Sequence, residues 1–148
     1  MKVPFPNISS SLALRPHMYI CRNQVGSSYE YIKCQTLKPY MLINNPIMNY
    51  HDEDPDSSRN PFSRKTRIDC DKIFTSSTVS YSDGLKTTIR SDVCDDLFNR
   101  VEEMLQKDDY DNIPLNERNL KNLNDLIYHI FFNNKVSNDM NDKYITLQ

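Results

Sequence analysis

Hydrophobic and polar residues alternate most clearly near the start of the chain, where their spacing predicts strands. The run HMYICR, residues 17–22, is rich in strand-forming residues, and NQVGSS leads from it into YEYIKCQT, residues 29–36. Two such runs joined by a short segment containing glycine are typical of a β-hairpin. A further strand is predicted near YMLI, which follows Pro39, and a short edge strand in VPFP, residues 3–6.

The middle of the chain predicts a loop and then a charged strand. Residues 44–61 combine asparagine and proline with the acidic run YHDEDPDSSRNP, a composition typical of a long exposed loop. In TRIDCDKIF, which begins at Thr66, Ile68 and Cys70 alternate with charged residues. This alternation predicts a strand that carries charge on one face.

The pattern then changes to helical spacing. Ser91 or Asp92 can cap a helix over residues 91–107. Its apolar stripe consists of Val93, Leu97, Val101, Met104 and Leu105. A second helix is predicted over residues 116–132, with a stripe of Leu120, Leu123, Ile127, Ile130 and Phe131. The polar, asparagine-rich residues from 133 onward predict a frayed end.

Composition narrows the class of protein. The 148 residues suit one domain, and a net charge of -2 argues against a protein that is basic over its whole surface. Only two glycines are present, which excludes glycine-rich loops that cradle phosphates. No apolar run approaches the roughly 18 residues that a membrane span needs, so we expect no membrane association.

The cysteines predict neither disulfides nor a metal site. They are widely separated, form no CxxC pair and follow no secretory signal: Cys21, Cys34, Cys70 and Cys94. Such cysteines are typical of reduced, mostly buried thiols, so we expect a cytoplasmic protein. Because they also lack zinc-ligand spacing, no metal and no cofactor are expected.

The order of several segments resembles one family, the MazF/PemK-type toxins. VPFPNISSSLALRPHMYI, residues 3–20, resembles the family's first strand, loop, Arg-Pro pair and following strand. YIKCQT resembles the strand that ends in an active-site threonine, and KTRIDCDKIFT, residues 65–75, a segment with Asp-Lys and Phe-Thr. VCDDLFNRVEEML resembles the closing helix, so the resemblance covers residues 3–107.

The resemblance implies a fold, an activity and partners. The implied fold is mainly β with helices: a small SH3-like barrel of the MazF/Kid/CcdB type over residues 1–108, here followed by a helical extension and polar tail over residues 109–148. The implied activity is sequence-selective, metal-independent endoribonuclease cleavage of single-stranded RNA, which leaves 2′,3′-cyclic phosphate and 5′-OH ends. The implied partners are RNA, a cognate antitoxin protein and a second copy in a homodimer.

Candidate site residues follow from the resemblance and from the chemistry of RNA cleavage. The family's active-site arginine and threonine match Arg15 and Thr36. A guanidinium can stabilise charge on phosphoryl oxygens, and a threonine hydroxyl can donate a hydrogen bond to them. The resemblance supplies no histidine, but His17 is two residues from Arg15 on the same strand face and can transfer protons near neutral pH. Four cations are candidate contacts to the RNA backbone: Arg59, Arg64, Lys65 and Arg67.

A second hypothesis is a degenerate barrel that binds a protein or nucleic acid without cutting RNA. The loop before Arg15 has no acidic residue, whereas some members of the family place a carboxylate there as a candidate base. The acidic loop at residues 51–56 and the added second helix also depart from the family's pattern. The identity of the general base and the RNA sequence preference stay open, since loop shape determines single-strand recognition.

Overall fold

A computed structural model describes residues 16–130, which form a mainly β fold with few helices. A 3₁₀ turn at Asp83–Leu85 precedes the longest helix. In chain order the elements are β1 (Met18–Val25), β2 (Ser28–Thr36), α1 (Tyr40–Ile43), β3 (Tyr50–Glu53), β4 (Thr66–Asp69), β5 (Lys72–Ser76), β6 (Val79–Tyr81), α2 (Asp95–Lys107), β7 (Asp111–Pro114), α3 (Glu117–Leu123) and β8 (Ile127–His129). VPFP and the residues from Phe131 onward lie outside the described residues.

The predicted β-hairpin is confirmed. β1 and β2 are antiparallel, and their register runs from Met18 opposite Cys34 to Val25 opposite Ser28. The turn between the strands contains Gly26, whose φ is +59°. Two-residue hairpin turns need positive φ at their first central residue, and glycine adopts it without a steric cost.

β4 and β5 lie one after the other along the second edge of β2. β4 pairs with the segment from Cys34 to Thr36, and β5 pairs with the segment from Tyr29 to Tyr31, both antiparallel. Between the two strands, the Asp71 carboxylate accepts hydrogen bonds from the backbone N–H groups of Met48 and Asn49, at 2.7 and 2.9 Å. These bonds attach the connection between β4 and β5 to Met48 and Asn49, which precede β3.

Two further strands extend the sheet beyond β4 and β5. β3 pairs antiparallel with β4, and β7 pairs parallel with β5. The strand order is therefore β3-β4-β2-β5-β7, and β1 pairs with the opposite edge of β2. Within residues 16–130 this path does not close into a barrel, whereas the resemblance implies a closed one. A separate two-stranded sheet joins β6 and β8.

Two apolar clusters cover the two faces of the main sheet. On one face, Leu97, Val101 and Leu105 of α2 pack with the group that includes Ile32 and Ile68. On the other face, the cluster consists of Tyr31, Phe74, Val79, Leu115, Leu120 and Ile127. Because strand residues alternate in direction, Ile32 and Tyr31 contribute to opposite faces of the same strand.

The first predicted helix is confirmed, but it begins later than predicted. α2 starts after Cys94, which makes no side-chain cap bond, while Asp92 bonds the N–H of Val93 instead. Asp95 and Asp96 occupy the first turn of the helix and Lys107 the last. These charges suit the helix dipole at both ends.

Two predictions in residues 37–61 are wrong. YMLI forms the short helix α1, because Pro39 has helical φ and ψ of -54° and -38° and starts a helical turn. The predicted loop at residues 44–61 contains β3, which pairs with β4. Its acidic residues did not suggest a strand, because the pairing partner lies later in the chain.

The predicted strand at TRIDCDKIF is confirmed in type but not in the position of its charges. All four residues of β4 are buried, and Arg67 and Asp69 are only 1% and 4% exposed. The segment also divides into β4 and β5 at Cys70 and Asp71. The charges of β4 therefore lie inside the protein rather than on a solvated face.

The helix predicted over residues 116–132 ends early. α3 stops at Leu123, where the Asn124 side chain donates a hydrogen bond of 2.7 Å to the Leu120 carbonyl. The chain then forms β8, and Leu120 and Ile127 are buried in the same cluster. Their helical spacing therefore reflects a shared core and not one continuous helix. None of the helices in residues 16–130 has the length and apolar character needed to cross a bilayer.

Candidate functional site

A groove runs along β1, and the candidate site residue His17 is one of the residues that line it. Its volume is about 800 Å³. It begins at Pro16 and His17, the two residues that follow Arg15 in the sequence, and continues past Tyr19 toward Gln24. Its opposite wall comes from the segment after β6 and the residues before α2, including Tyr81, Asp83, Lys86 and Asp92. Its size is within the range of small-molecule sites.

Four tyrosines form the aromatic part of the groove. Tyr29 and Tyr31 are stacked with their ring centroids 5.9 Å apart. Tyr81 meets both rings edge-on at 4.8 and 5.0 Å, and Tyr19 meets Tyr31 edge-on at 6.5 Å. From the sequence alone, Tyr29 and Tyr31 could stack on unpaired bases or pack a face of the sheet, and Tyr19 and Tyr81 had no assigned role. Their grouping depends on the β1–β2 register and on β6, which no local pattern predicts.

The hydroxyl of Tyr19 is buried and has no hydrogen-bond partner among the described residues. The other groove hydroxyls differ: Tyr81 bonds the Ser76 hydroxyl at 2.7 Å, and Tyr29 accepts a bond from Gln24 at 3.0 Å. Burial raises the pKa of Tyr19 well above its ordinary value, so the phenol stays protonated. A buried hydroxyl without a partner is costly, and such groups in proteins call for an explanation.

His17 is half-buried at one end of the groove. Burial, followed by the positive charge of Lys33, lowers the pKa of His17 to about 4. The imidazole is therefore neutral at pH 7 and can accept a proton, although as a weak base. The protonated form that would serve as a general acid is scarce at this pH.

Thr36 lies at the end of β2, on the face opposite His17. Met18 pairs with Cys34, so alternation puts Thr36 on the side of Cys34 and His17 on the other side. The structure therefore does not bring these two candidates together on one face. Thr36 instead pairs with Thr66, which pairs with Glu53. Arg15 lies outside the described residues, so the structure does not place it.

Glu53, which pairs with Thr66, bonds two basic side chains. Its carboxylate bonds Arg59 Nε at 2.9 Å and His51 Nε2 at 3.0 Å, and Arg59 also pairs with Asp96 at 2.9 Å. Burial alone would raise the pKa of Glu53, but the hydrogen bonds from His51 and Arg59 lower it overall. Arg59 thus has two carboxylate partners within the protein.

The other three predicted RNA contacts divide into two kinds. Arg64 and Lys65 are exposed, and Lys65 lies 3.5 Å from Asp54. Arg67 is buried, with two bonds of 2.7 Å to Asp52 and its guanidinium 3.6 Å from the Tyr50 ring centroid. Bidentate pairing and ring stacking are typical of a structural arginine, and they occupy the groups that would contact phosphate.

Sequence analysis missed an opposite-charge pair, the half-buried Lys33 and the buried Asp69. These residues are neighbours across β2 and β4, next to the paired residues Cys34 and Ile68. Burial raises the pKa of Asp69 and lowers that of Lys33, while the attraction between them opposes both shifts. Only the register of two distant strands brings them together, so the sequence contains no local signal for the pair.

The described residues offer no metal centre. Within residues 16–130, no group of three or more His, Cys, Asp or Glu side chains is arranged to hold an ion. The four cysteines are free thiols, and Cys34 and Cys70 are buried. Burial raises the pKa of Cys70 to about 12, so this thiol is not a reactive nucleophile.

Comparison with known proteins gives no relative: no family model, curated protein or solved structure matches the chain. The function therefore has to be inferred from the chain's own residues.

Proposed function

We propose that this chain is a metal-independent endoribonuclease of the MazF/PemK type that cleaves single-stranded RNA. The observation that carries the proposal is the tyrosine-lined groove that begins at Pro16 and His17, next in sequence to Arg15. Unpaired RNA bases are bound by stacking on aromatic side chains, and phosphate is bound by arginine. The aromatic groove suits the base of a nucleotide, and the arginine that precedes Pro16 in the sequence suits its phosphate.

The proposed reaction is an internal transesterification. The 2′-oxygen attacks the adjacent phosphorus after losing its proton to a base, and the bond from phosphorus to the 5′-oxygen breaks. The leaving oxygen takes up a proton, so the products are a 2′,3′-cyclic phosphate and a 5′-hydroxyl. Arg15 would stabilise the negative charge that builds on the phosphoryl oxygens.

Thr36 is the proposed second phosphate contact. The β1–β2 pairing ends at Met18 and Cys34, and Pro16 and Thr36 each lie two residues beyond that pair in the sequence. A hydroxyl at that position can donate a hydrogen bond to a phosphoryl oxygen. Neutral His17 is the local candidate for the base, on the other face of the strand.

The proposed partners follow the resemblance: single-stranded RNA, an antitoxin protein that inhibits the enzyme, and a second copy in a homodimer, all in the cytoplasm. Of the four predicted backbone contacts, we retain the exposed Arg64 and Lys65 for RNA. Arg59 and Arg67 are bound to carboxylates, so we assign them a structural role.

Replacement of Arg15 tests this proposal. We expect Arg15→Ala to slow RNA cleavage about 10²- to 10³-fold, the usual effect of removing one group that stabilises transition-state charge. The measurement is single-turnover cleavage of a long single-stranded RNA. The matched control is Arg118→Ala, since Arg118 is exposed on α3 and does not line the groove. Equal rates for Arg15→Ala and the unaltered protein would contradict the role of Arg15.

The second candidate is a binding module that holds RNA without cutting it. The observation that favours it is the separation of His17 and Thr36 on opposite faces, together with the low basicity of His17. In this case the unaltered protein would bind single-stranded RNA in a filter-binding assay, and the RNA would be recovered intact. Cleavage that depends on Arg15 would exclude this candidate.

A further inference from the structure

The ends of β2 and β4 bring together cations from two distant parts of the chain. Directly after Thr36, which ends β2, the backbone N–H of Leu37 donates a 2.9 Å hydrogen bond to the Lys65 carbonyl. The next residue on one side of this bond is Lys38, and on the other side it is Arg64, and both are exposed. The fold therefore gathers beside Thr36 three cations that the sequence separates.

Two of these three cations have no carboxylate partner within residues 16–130. Neither Lys38 nor Arg64 has a described carboxylate at ion-pair distance, whereas Lys65 lies 3.5 Å from Asp54. Phosphate oxygens are bound by ammonium and guanidinium groups that are not already paired. Lys38 and Arg64 are therefore the two groups best suited to bind phosphate at these strand ends.

Tyr40 presents an aromatic ring close to the same cations in the sequence. It is the first residue of α1, two residues after Lys38, and it is 61% exposed. No other aromatic side chain in residues 16–130 is exposed. The next residue, Met41, is buried, and its carbonyl accepts a 3.2 Å hydrogen bond from Arg67. Tyr40 is thus exposed on a turn that is anchored to the sheet.

An exposed ring beside unpaired cations suits a single-stranded nucleic acid. Bases stack on aromatic rings while cations bind the backbone, and such binding needs no particular base. Leu42 and Ile43 extend the exposed apolar surface of α1, which a protein partner can also bind. Because lysine is depleted in the core of protein interfaces, the cations favour RNA as the occupant.

We propose that Lys38, Tyr40 and Arg64 form a platform for single-stranded RNA, on which Tyr40 stacks with one base and the two cations bind neighbouring phosphates. This inference rests on the proposed function, because it requires that the chain bind single-stranded RNA. It adds Lys38 and Tyr40 to the RNA contacts and brings the RNA backbone past Thr36. The platform contributes affinity for any sequence, so base preference has to come from other contacts.

The experiment measures the affinity of a fluorescent ten-nucleotide RNA of 2′-O-methyluridine by anisotropy over a series of KCl concentrations. This RNA has no free 2′-hydroxyl and so cannot be cleaved by transesterification. The proteins are the unaltered chain, Lys38→Ala, Arg64→Ala, Tyr40→Ala and the control Lys121→Ala. Lys121 is an exposed lysine on α3. Thermal melting shows whether each variant is folded, and substitutions at such exposed positions should change stability little.

The dependence of affinity on salt separates the two kinds of contact. Each phosphate contact to a single strand contributes about 0.7 to the slope of log affinity against log salt concentration. We expect Lys38→Ala and Arg64→Ala each to reduce the slope by about that amount. We expect Tyr40→Ala to weaken binding about 5- to 100-fold with no change in slope, since stacking involves no counterion. Lys121→Ala should behave as the unaltered protein.

A Tyr40→Trp variant reports stacking directly. The chain contains no tryptophan, so all of the indole emission comes from the platform. We expect the RNA to quench this emission as a base stacks on the indole. Half of the quenching should occur at the Kd measured by anisotropy.

Three results would overturn the platform and leave the proposed function intact, provided that the unaltered protein still binds or cleaves RNA. They are unchanged salt slopes in both cation variants, unchanged affinity in Tyr40→Ala, and Tyr40→Trp emission that does not respond to RNA. Any of them would leave the exposed face of α1 to a protein partner. If the unaltered protein neither binds nor cleaves any RNA, the proposed function fails, and the inference fails with it.

Discussion

At the residue scale, the burial of Arg67 in β4 gives a charged sequence motif a structural role and not a binding role. In the sequence, Arg67 is one of four neighbouring cations and has the appearance of an RNA contact. In the structure it bonds Asp52, the Asn45 side chain at 2.9 Å and the Met41 carbonyl at 3.2 Å. One buried guanidinium thus joins α1, β3 and β4.

We expect Arg67→Ala to lower the free energy of unfolding by about 3 kcal/mol, because removing one partner leaves the other charge of a buried pair uncompensated. Urea denaturation measures this change. Arg64→Ala, at an exposed position, is the matched control and should change stability by less than about 0.5 kcal/mol. Equal effects of the two substitutions would show that the pair with Asp52 contributes little.

His17 gives a prediction about acid stability. Its pKa is lowered to about 4 in the folded protein, below the ordinary value of 6.5, so the unfolded chain binds the proton more readily. His17 therefore has no effect above the unfolded pKa, and the folded protein loses stability as the pH falls from about 6.5 toward 4. His17→Gln should lose less stability over this window in urea titrations. Parallel losses in both proteins would indicate that His17 protonates equally well when folded.

At the scale of elements, local patterns predict the hairpin and α2 but not the strands that depend on distant partners. The hairpin has a turn glycine between two strand-like runs, and α2 has an apolar stripe with acidic residues in its first turn. β3 and β7 are short and polar, and each forms only because β4 or β5 offers a free edge. The candidate site shows the same limit, since Arg15 and Thr36 were proposed from motifs, whereas the tyrosine groove required the strand register.

The packing of α2 on the sheet can be tested at Leu97, which is fully buried between the helix and the strands. We expect Leu97→Ala to lower the free energy of unfolding by about 3 kcal/mol, through lost burial and the cavity left behind. Leu126→Ala is the matched control, because this side chain is 38% exposed. If chemical denaturation showed a similarly small loss of unfolding free energy for both variants, the packing of α2 on the sheet would contribute little to stability.

At the scale of the whole molecule, the two faces of the sheet have different roles. α2 covers one face with aliphatic side chains, while the other carries the tyrosines that line the groove along β1. The net charge is -2, and within residues 16–130 Arg59, Arg67 and Lys86 are paired with carboxylates, so RNA binding would depend on stacking and on exposed cations such as Arg64. We therefore expect weaker dependence on salt than for a strongly basic RNA-binding protein.

The most direct test of the central claim is an end-group analysis of RNA incubated with the purified protein in EDTA. The account predicts fragments with 2′,3′-cyclic phosphate and 5′-hydroxyl ends, and their loss with Arg15→Ala. Intact RNA, or fragments with 5′-phosphate ends, would contradict it.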